Sequence, residues 1–244
     1  ASKGNTFVEG GEPDFQETLF NTGAVYKLTP ALSLFANYSE GFGMPDVGRV
    51  LRGISTPGLD VDSFLNLEPI VTVNKELGVR FHQGAIDFEF SLYKSDSDLG
   101  SRLERIDDDY FVKREKTEIE GLEASLAYQM NTNHRFTLAY SKVDGEYDSD
   151  KDGEVDTKVG ALNISPDRLV AAWNASWSGQ LKTNLTANHY FDRGFDDPNR
   201  EFSGYTLVDL GLSYQQELGQ FHLGIGNLFD EDYVTYYSQS ALVS

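Results

Sequence analysis

The chain has 244 residues, enough for one or two ordinary domains or a single large all-β domain. Its 20 lysines and arginines stand against 39 aspartates and glutamates, a formal charge of −19 that repels phosphate backbones and sets nucleic-acid binding aside. Cysteine is absent, which excludes disulfide scaffolds, cysteine metal sites and thiol catalysis together, and no stretch approaches the roughly 18 uninterrupted apolar residues of a spanning helix.

In chain order, apolar residues recur at two-residue spacing over segments of about ten, the period of a strand rather than a helix. This predicts ten strands, near 19–28, 31–42, 71–82, 85–97, 117–129, 134–146, 166–177, 181–192, 204–216 and 220–229. In the ninth, Thr206, Val208, Leu210, Leu212 and Tyr214 share one face, while Asp209, Gly211 and Ser213 share the other. Ile86, Phe88, Phe90 and Leu92 alternate with Asp87, Glu89 and Ser91 in the same way, and Leu169, Ala171, Trp173, Ala175 and Trp177 end on a tryptophan suited to a membrane interface. A chemistry of 13% aromatic but only 39% hydrophobic residues fits strands with one wet face better than a packed helical core.

The connections alternate. Tight turns follow the odd strands, at Thr29-Pro30, Gln83-Gly84, Asn131-Thr132-Asn133, Ser178-Gly179-Gln180 and Glu217-Leu218-Gly219, each with turn-forming residues. Long connections follow the even strands, at Gly43 to Ile70, Asp98 to Lys116, Tyr147 to Ser165 and Arg193 to Ser203. Strict alternation of short and long is the habit of antiparallel outer-membrane β-barrels, with short periplasmic turns and long external loops. Both ends of the chain fall on the long-loop side, and residues 1–15 lack the basic start and apolar core of a signal peptide. An open ten-strand sheet leaves two unpaired edges, so the expectation is a consecutive piece of a larger barrel.

Particular residues carry a family likeness. Tyr38-Ser39-Glu40-Gly41-Phe42-Gly43-Met44-Pro45-Asp46 resembles the "YS-x-GF-x-x-P" segment of TonB-dependent outer-membrane receptors. Lys75-Glu76-Leu77-Gly78, Glu120-Gly121-Leu122-Glu123 and Gly204-Tyr205-Thr206-Leu207-Val208-Asp209 agree in the same order. Gly226-Asn227-Leu228-Phe229-Asp230-Glu231-Asp232-Tyr233 is similar to the "NLFD-x-x-Y" signature before the last strand. Within the family, Tyr38 through Arg49 and Arg52 to Ile54, and Tyr233 to Leu242, look most like aerobactin-type ferric hydroxamate receptors. The resemblance implies an all-β, transmembrane antiparallel barrel of about 22 strands closed by a plug. Residues 1–244 would then be its C-terminal half, without the plug and the last strand. It further implies uptake of a ferric siderophore through the Gram-negative outer membrane, contact with outer-membrane lipid, energy from the TonB complex via the plug, no enzymatic step and no intrinsic cofactor. Alternatives are a cobalamin or oligosaccharide receptor of the same family, or, in a different class, a ten-strand outer-membrane hydrolase. The latter would need its histidines clustered with acids on facing strand tips, whereas His82, His134, His189 and His222 are scattered.

Two groups of residues are candidates for ligand chemistry. Guanidinium forks match carboxylate and hydroxamate oxygens, which singles out the loop residues Arg49, Arg52, Arg102 and Arg105, with Tyr110 and Phe111 at a loop apex; Arg193 and Arg200 are further loop cations. Salt bridging to nearby loop acids is the alternative role. Separately, Asp148, Asp150, Asp152, Glu154 and Asp156 form a D-x-D-x-D-G-x-x-D pattern able to offer calcium its oxygen ligands. Val159 stands where an EF-hand places its bidentate glutamate, so the alternative is a solvated acidic loop tip.

Overall fold

The structure is a computed structural model that describes residues 16–44, 70–106, 109–160, 163–194 and 201–242; for 101–112 and 240–242 it describes the backbone only. Among the described residues there are eleven strands: β1 (Asn21–Lys27), β2 (Leu32–Gly43), β3 (Ile70–Gln83), β4 (Ile86–Ile106), β5 (Asp109–Asn131), β6 (His134–Tyr147), β7 (Thr157–Lys158), β8 (Arg168–Ser176), β9 (Leu181–Tyr190), β10 (Tyr205–Gln216) and β11 (Gly219–Ile225). A short helix, α1 (Tyr236–Leu242), follows. Each strand pairs antiparallel with its sequence neighbour in one open sheet, except that β8 continues from β6 while the two-residue β7 pairs beside it.

The structure departs from the sequence expectation at three places, the first being β7, which lies within the expected Tyr147 to Ser165 connection. The segment Asp98 to Lys116, expected as a loop, is mostly strand, because β4 and β5 run on past a bulge between Ser97 and Gly100 as far as Ile106 and Asp109. Above a membrane both faces of a hairpin are wet, so the apolar alternation that marks a strand vanishes while the backbone ladder continues. The last strand stops at Ile225 rather than near 229, because Asn227 takes a positive φ of 50° and turns the chain.

The register sorts the two faces. Leu32, Phe81, Phe88, Leu126, Leu138, Ala171, Ala187 and Val208 lie opposite one another across eight strands and form one apolar row. One residue along, Ser33, Arg80, Glu89, Ser125, Ala139, Val170, Asn188 and Leu207 form a mostly polar row on the other face. At the short-turn end of the apolar face, the Trp173 ring stacks on Phe136 at 6.0 Å and on His134 at 5.9 Å, with Trp177 edge-on at 5.5 Å. At the other end Phe191 meets Tyr140 and His189 edge-on at 5.9 and 4.4 Å. Rings at both rims of an apolar band form the girdle pattern of a membrane-spanning sheet.

A single-layer sheet has little interior, and among the described residues no large side chain is fully buried. On the polar face, two aromatic side chains fill glycine gaps on neighbouring strands. The Phe35 ring lies over Gly78 and the Tyr93 ring over Gly121, so close that a Cβ at either glycine would overlap the ring. The Arg80 guanidinium then covers Phe35 at 4.2 Å and pairs with Glu89 at 2.8 Å. These joints explain the glycines in the Lys75-Glu76-Leu77-Gly78 and Glu120-Gly121-Leu122-Glu123 pieces.

Candidate functional site at the long-loop end and polar face

The signature segments are load points of the long-loop end. In Tyr38-Ser39-Glu40, the Tyr38 hydroxyl donates to Glu40 Oε1 at 2.5 Å and the Phe20 N–H donates to Glu40 Oε2 at 2.9 Å, tying the chain before β1 to β2. Two pieces far apart in sequence meet where the Asn227 N–H donates to Asp209 Oδ1 at 2.9 Å. Asn227 then closes the next turn on itself, its Nδ2 donating to the Glu231 carbonyl and its Oδ1 accepting the Glu231 N–H, both at 2.9 Å.

An aromatic cluster that the sequence reading did not single out sits beside this turn. Phe202, Tyr205 and Tyr236 are buried together, Phe202 meeting Tyr236 edge-on at 5.0 Å, while Tyr190 and Tyr233 flank Tyr205 at 4.8 and 4.7 Å. Burial pushes the Tyr236 phenol up to about 12 against the opposing charge of Arg193. Gln239 of α1 donates to the Ser203 carbonyl and accepts the Ser203 N–H, so α1 is pinned to the segment before β10. The signal in the sequence was the recurrence of tyrosine at 190, 205, 233 and 236, which strand periodicity alone does not gather.

Arg193 is a clamp. Its guanidinium donates to the Val143 and Ser165 carbonyls at 3.0 Å each and pairs with Asp144 at 3.3 Å, joining the end of β6 to two connections. Arg168, on the polar face, donates to Asn188 Oδ1 at 2.6 Å and lies over the Tyr190 ring at 5.2 Å.

The acidic loop brings together three of its five candidates. Asp148, Asp150 and Asp152 offer oxygens within 4.8 Å of one another, and Asp148 is buried while the other two are exposed. The loop also closes through its own backbone. Asp148 Oδ1 accepts the Lys151 N–H at 2.6 Å, Asp148 Oδ2 accepts the Gly153 N–H at 2.9 Å, and Asp152 Oδ1 accepts the Glu154 N–H at 2.8 Å. Desolvation works to raise the Asp148 pKa, but these N–H groups outweigh it and hold the carboxyl below the ordinary aspartate value. Asp156 instead accepts the Thr157 hydroxyl, and Glu154 is exposed outside the cluster.

Of the loop residues proposed for ligand contact, Arg49, Arg52 and Arg200 lie outside the described residues. The backbone puts Arg102 opposite Lys113, Phe111 opposite Glu104, and Arg105 opposite Tyr110 on the extended β4–β5 hairpin. Arg102 and Arg105 occupy positions of opposite parity in that strand, so the sheet does not bring them together. The four histidines stay apart as well: His134 and His189 join aromatic contacts, His82 pairs with Asp87, and His222 meets the Ser213 hydroxyl at 2.9 Å.

An open antiparallel sheet with one girdled apolar face, one polar face and alternating short turns and long connections is part of the wall of a membrane β-barrel. The family model described as "TonB dependent receptor-like, beta-barrel" matches residues 2–228, and the chain belongs to that family. It is 26% identical to the rhizobactin receptor of Rhizobium meliloti (strain 1021), with 96% of this chain and 32% of that protein covered. It is 29% identical to the ferric aerobactin receptor of Klebsiella pneumoniae, with 96% of this chain and 33% of that protein covered. The chain thus spans about a third of the length of these relatives. Among solved structures it resembles the copper transporter OprC, with a TM-score of 0.72 at 15% identity over 88% of this chain and 34% of that one. The ferric citrate transporter FecA gives 0.62 at 20% identity over 88% and 34%. Both likenesses confirm the barrel fold.

Proposed function

We propose that this chain is barrel wall from an outer-membrane receptor that captures a ferric siderophore outside a Gram-negative cell and admits it with energy delivered by TonB. The observation that carries the reading is the pair of siderophore-receptor relatives that match 96% of the chain. The wall described above supports it: lipid covers the apolar face, and cargo passes on the polar face. On this reading residues 1–244 are the later strands of a plugged barrel, no bond is made or broken, and the TonB contact is made through the plug in the remainder of the receptor.

Arg49 and Arg52 are assigned the first contact with the chelate. They follow the Tyr38 to Pro45 signature in an external connection, and a chain of −19 repels an anionic complex unless a local cation draws it in. The Asp148 loop is assigned a structural role, since its own N–H groups satisfy its central carboxylate without an ion.

The test is growth of an iron-starved strain whose only siderophore receptor is the full-length protein, with ferric aerobactin, cobalamin or an oligosaccharide supplied separately. Growth and TonB-dependent iron accumulation on ferric aerobactin are expected. Uptake of cobalamin or oligosaccharide alone would overturn the siderophore assignment.

A further inference from the structure

At the short-turn end, far from the external loops, the polar face holds a hollow of about 530 Å³ whose charged lining is cationic. Arg135 and Lys182 line it with His222, Asn174, Asn184 and Ser213, and no carboxylate lies among its lining residues. The register builds it from two adjacent rows. Arg135, Asn174, Asn184, Gly211 and Gly224 face one another across β6, β8, β9, β10 and β11, and Ser176, Lys182, Ser213 and His222 form the next row. The glycines keep the floor low: a Cβ at Gly224 would stand in open space and narrow the hollow.

The hollow is set apart by the two cations that share it and by the absence of a carboxylate from its lining. Lys75, Arg80, Lys94 and Lys142, on β3, β4 and β6, each hold a carboxylate. Among the described residues, Arg135 and Lys182 hold none, as is also true of Lys27, Lys116, Lys151, Lys158 and Arg168, but these two line one hollow. Two cations lining one polar hollow of small-molecule size suit an anion, and a guanidinium fork and an ammonium each match a carboxylate.

We propose that this hollow is a second station for the cargo, where Arg135 and Lys182 receive the carboxylate groups of the anionic ferric chelate after it has crossed the lumen. The proposal rests on the siderophore reading above and extends it from the external loops to the exit. Arg135 is the second residue of β6 and Lys182 the second of β9, so each stands beside a short turn on the side where cargo leaves. The pair is solvent-exposed and multidentate at most through two side chains, which favours capture followed by release over tight retention.

Two measurements on the full-length receptor decide it. The first uses citrate as a probe, independent of the cargo's identity: acylation of the Lys182 amine by a small water-soluble ester, followed by mass spectrometry. At citrate twice its dissociation constant the rate should fall about threefold, since protection scales as 1 + [L]/Kd, and Arg135→Gln should abolish the protection. Lack of protection overturns the station. So does a Lys182 that is unreactive from the start, because an acid elsewhere in the receptor would then already hold it. The second measurement compares binding with transport. Arg135→Gln/Lys182→Gln should leave ferric aerobactin binding to de-energised cells unchanged and slow energised uptake severalfold. Unchanged uptake overturns the station, and so does an equal loss of binding and uptake, which would signal misfolding or an entry role. If the wild-type receptor does not bind ferric aerobactin, the cargo assignment fails, and citrate protection alone decides whether the anion site exists.

Discussion

Leu138 and Ala139 are adjacent on β6 and belong to opposite faces, which makes them a direct test of the membrane reading. Leu138 lies in the central apolar row between Leu126 and Ala171, four residues from the ring of His134 and four from the charge of Lys142. At about 3.4 Å per residue each arm is about 14 Å along a tilted strand, so Leu138 sits near the bilayer midplane. Arginine on the lipid face at that depth costs about 2–4 kcal/mol. Leu138→Arg in the full-length receptor should therefore lower the folding equilibrium constant roughly 30- to 900-fold. Ala139→Arg points at the polar row of Glu89, Ser125 and Asn188 and should cost about 1 kcal/mol or less, as for charges on a wetted face. Reversible guanidinium unfolding from lipid vesicles reads both values. A Leu138→Arg protein within about 1 kcal/mol of wild type would refute the assignment of that face to lipid.

Gly78→Ala drives a methyl group into the Phe35 ring and the Phe90 carbonyl and should cost about 1–3 kcal/mol, with part of the loss recovered in the Gly78→Ala/Phe35→Leu double variant. Arg193→Ala removes donors to Val143, Ser165 and Asp144, so limited proteolysis near 163–167 and 201–204 should accelerate, and Arg193→Lys should restore only part of the protection. Asp148→Ala should open the 149–156 segment to protease, whereas EDTA should leave the wild-type segment protected; opening by EDTA would show that an ion is needed. Because the folded-state pKa of Asp148 is depressed, loop closure should persist at and above the ordinary aspartate value of about 3.9 and fail only as pH falls through the lower folded value. Replacing Arg49 and Arg52 together with alanine should lower siderophore affinity tenfold or more at normal surface expression, with partial rescue by lysine. Unchanged affinity would remove them from the binding site.

The strands that cross the membrane were legible because lipid on one side and water on the other impose a strict two-residue alternation. The ninth strand, read as 204–216, is observed as Tyr205–Gln216, and the tight turns read at Gln83-Gly84 and Glu217-Leu218-Gly219 are observed within a residue of those positions, at Gly84-Ala85 and Glu217-Leu218. Where both faces meet water, that constraint disappears, and the extension of β4 and β5 beyond Asp98 had no periodic signal to give. The site was less legible still. The Asp148 cluster is local in sequence and could be found by spacing, but Phe202, Tyr205 and Tyr236 come together through a turn set by Asn227 and Asp209. The hollow at Arg135 and Lys182 depends on register across five strands, and no single strand reveals it.

With almost no buried core among the described residues, this sheet draws its stability from elsewhere. In a soluble domain Leu126, Leu138 and Leu223 would be liabilities at 38%, 42% and 57% exposure; here the same exposure is the contact surface offered to lipid. What the protein itself must supply is satisfaction of its backbone, because an unpaired amide in hydrocarbon costs several kcal/mol. The continuous ladders from β1 to β11 meet that need between strands. The glycine joints keep the polar face thin enough for an aromatic ring of one strand to lie over the backbone of the next. Substitutions should accordingly divide by face: polarity governs the cost on the apolar face, and volume governs it at Gly78 and Gly121. A large polar side chain at Gly121 should then be as damaging as an equally large apolar one, an equality that Gly121→Gln and Gly121→Met would test by unfolding from vesicles. A clearly milder Gly121→Gln would mean that the polar face tolerates volume when it is hydrated, and that the Tyr93 ring can leave its place over the glycine.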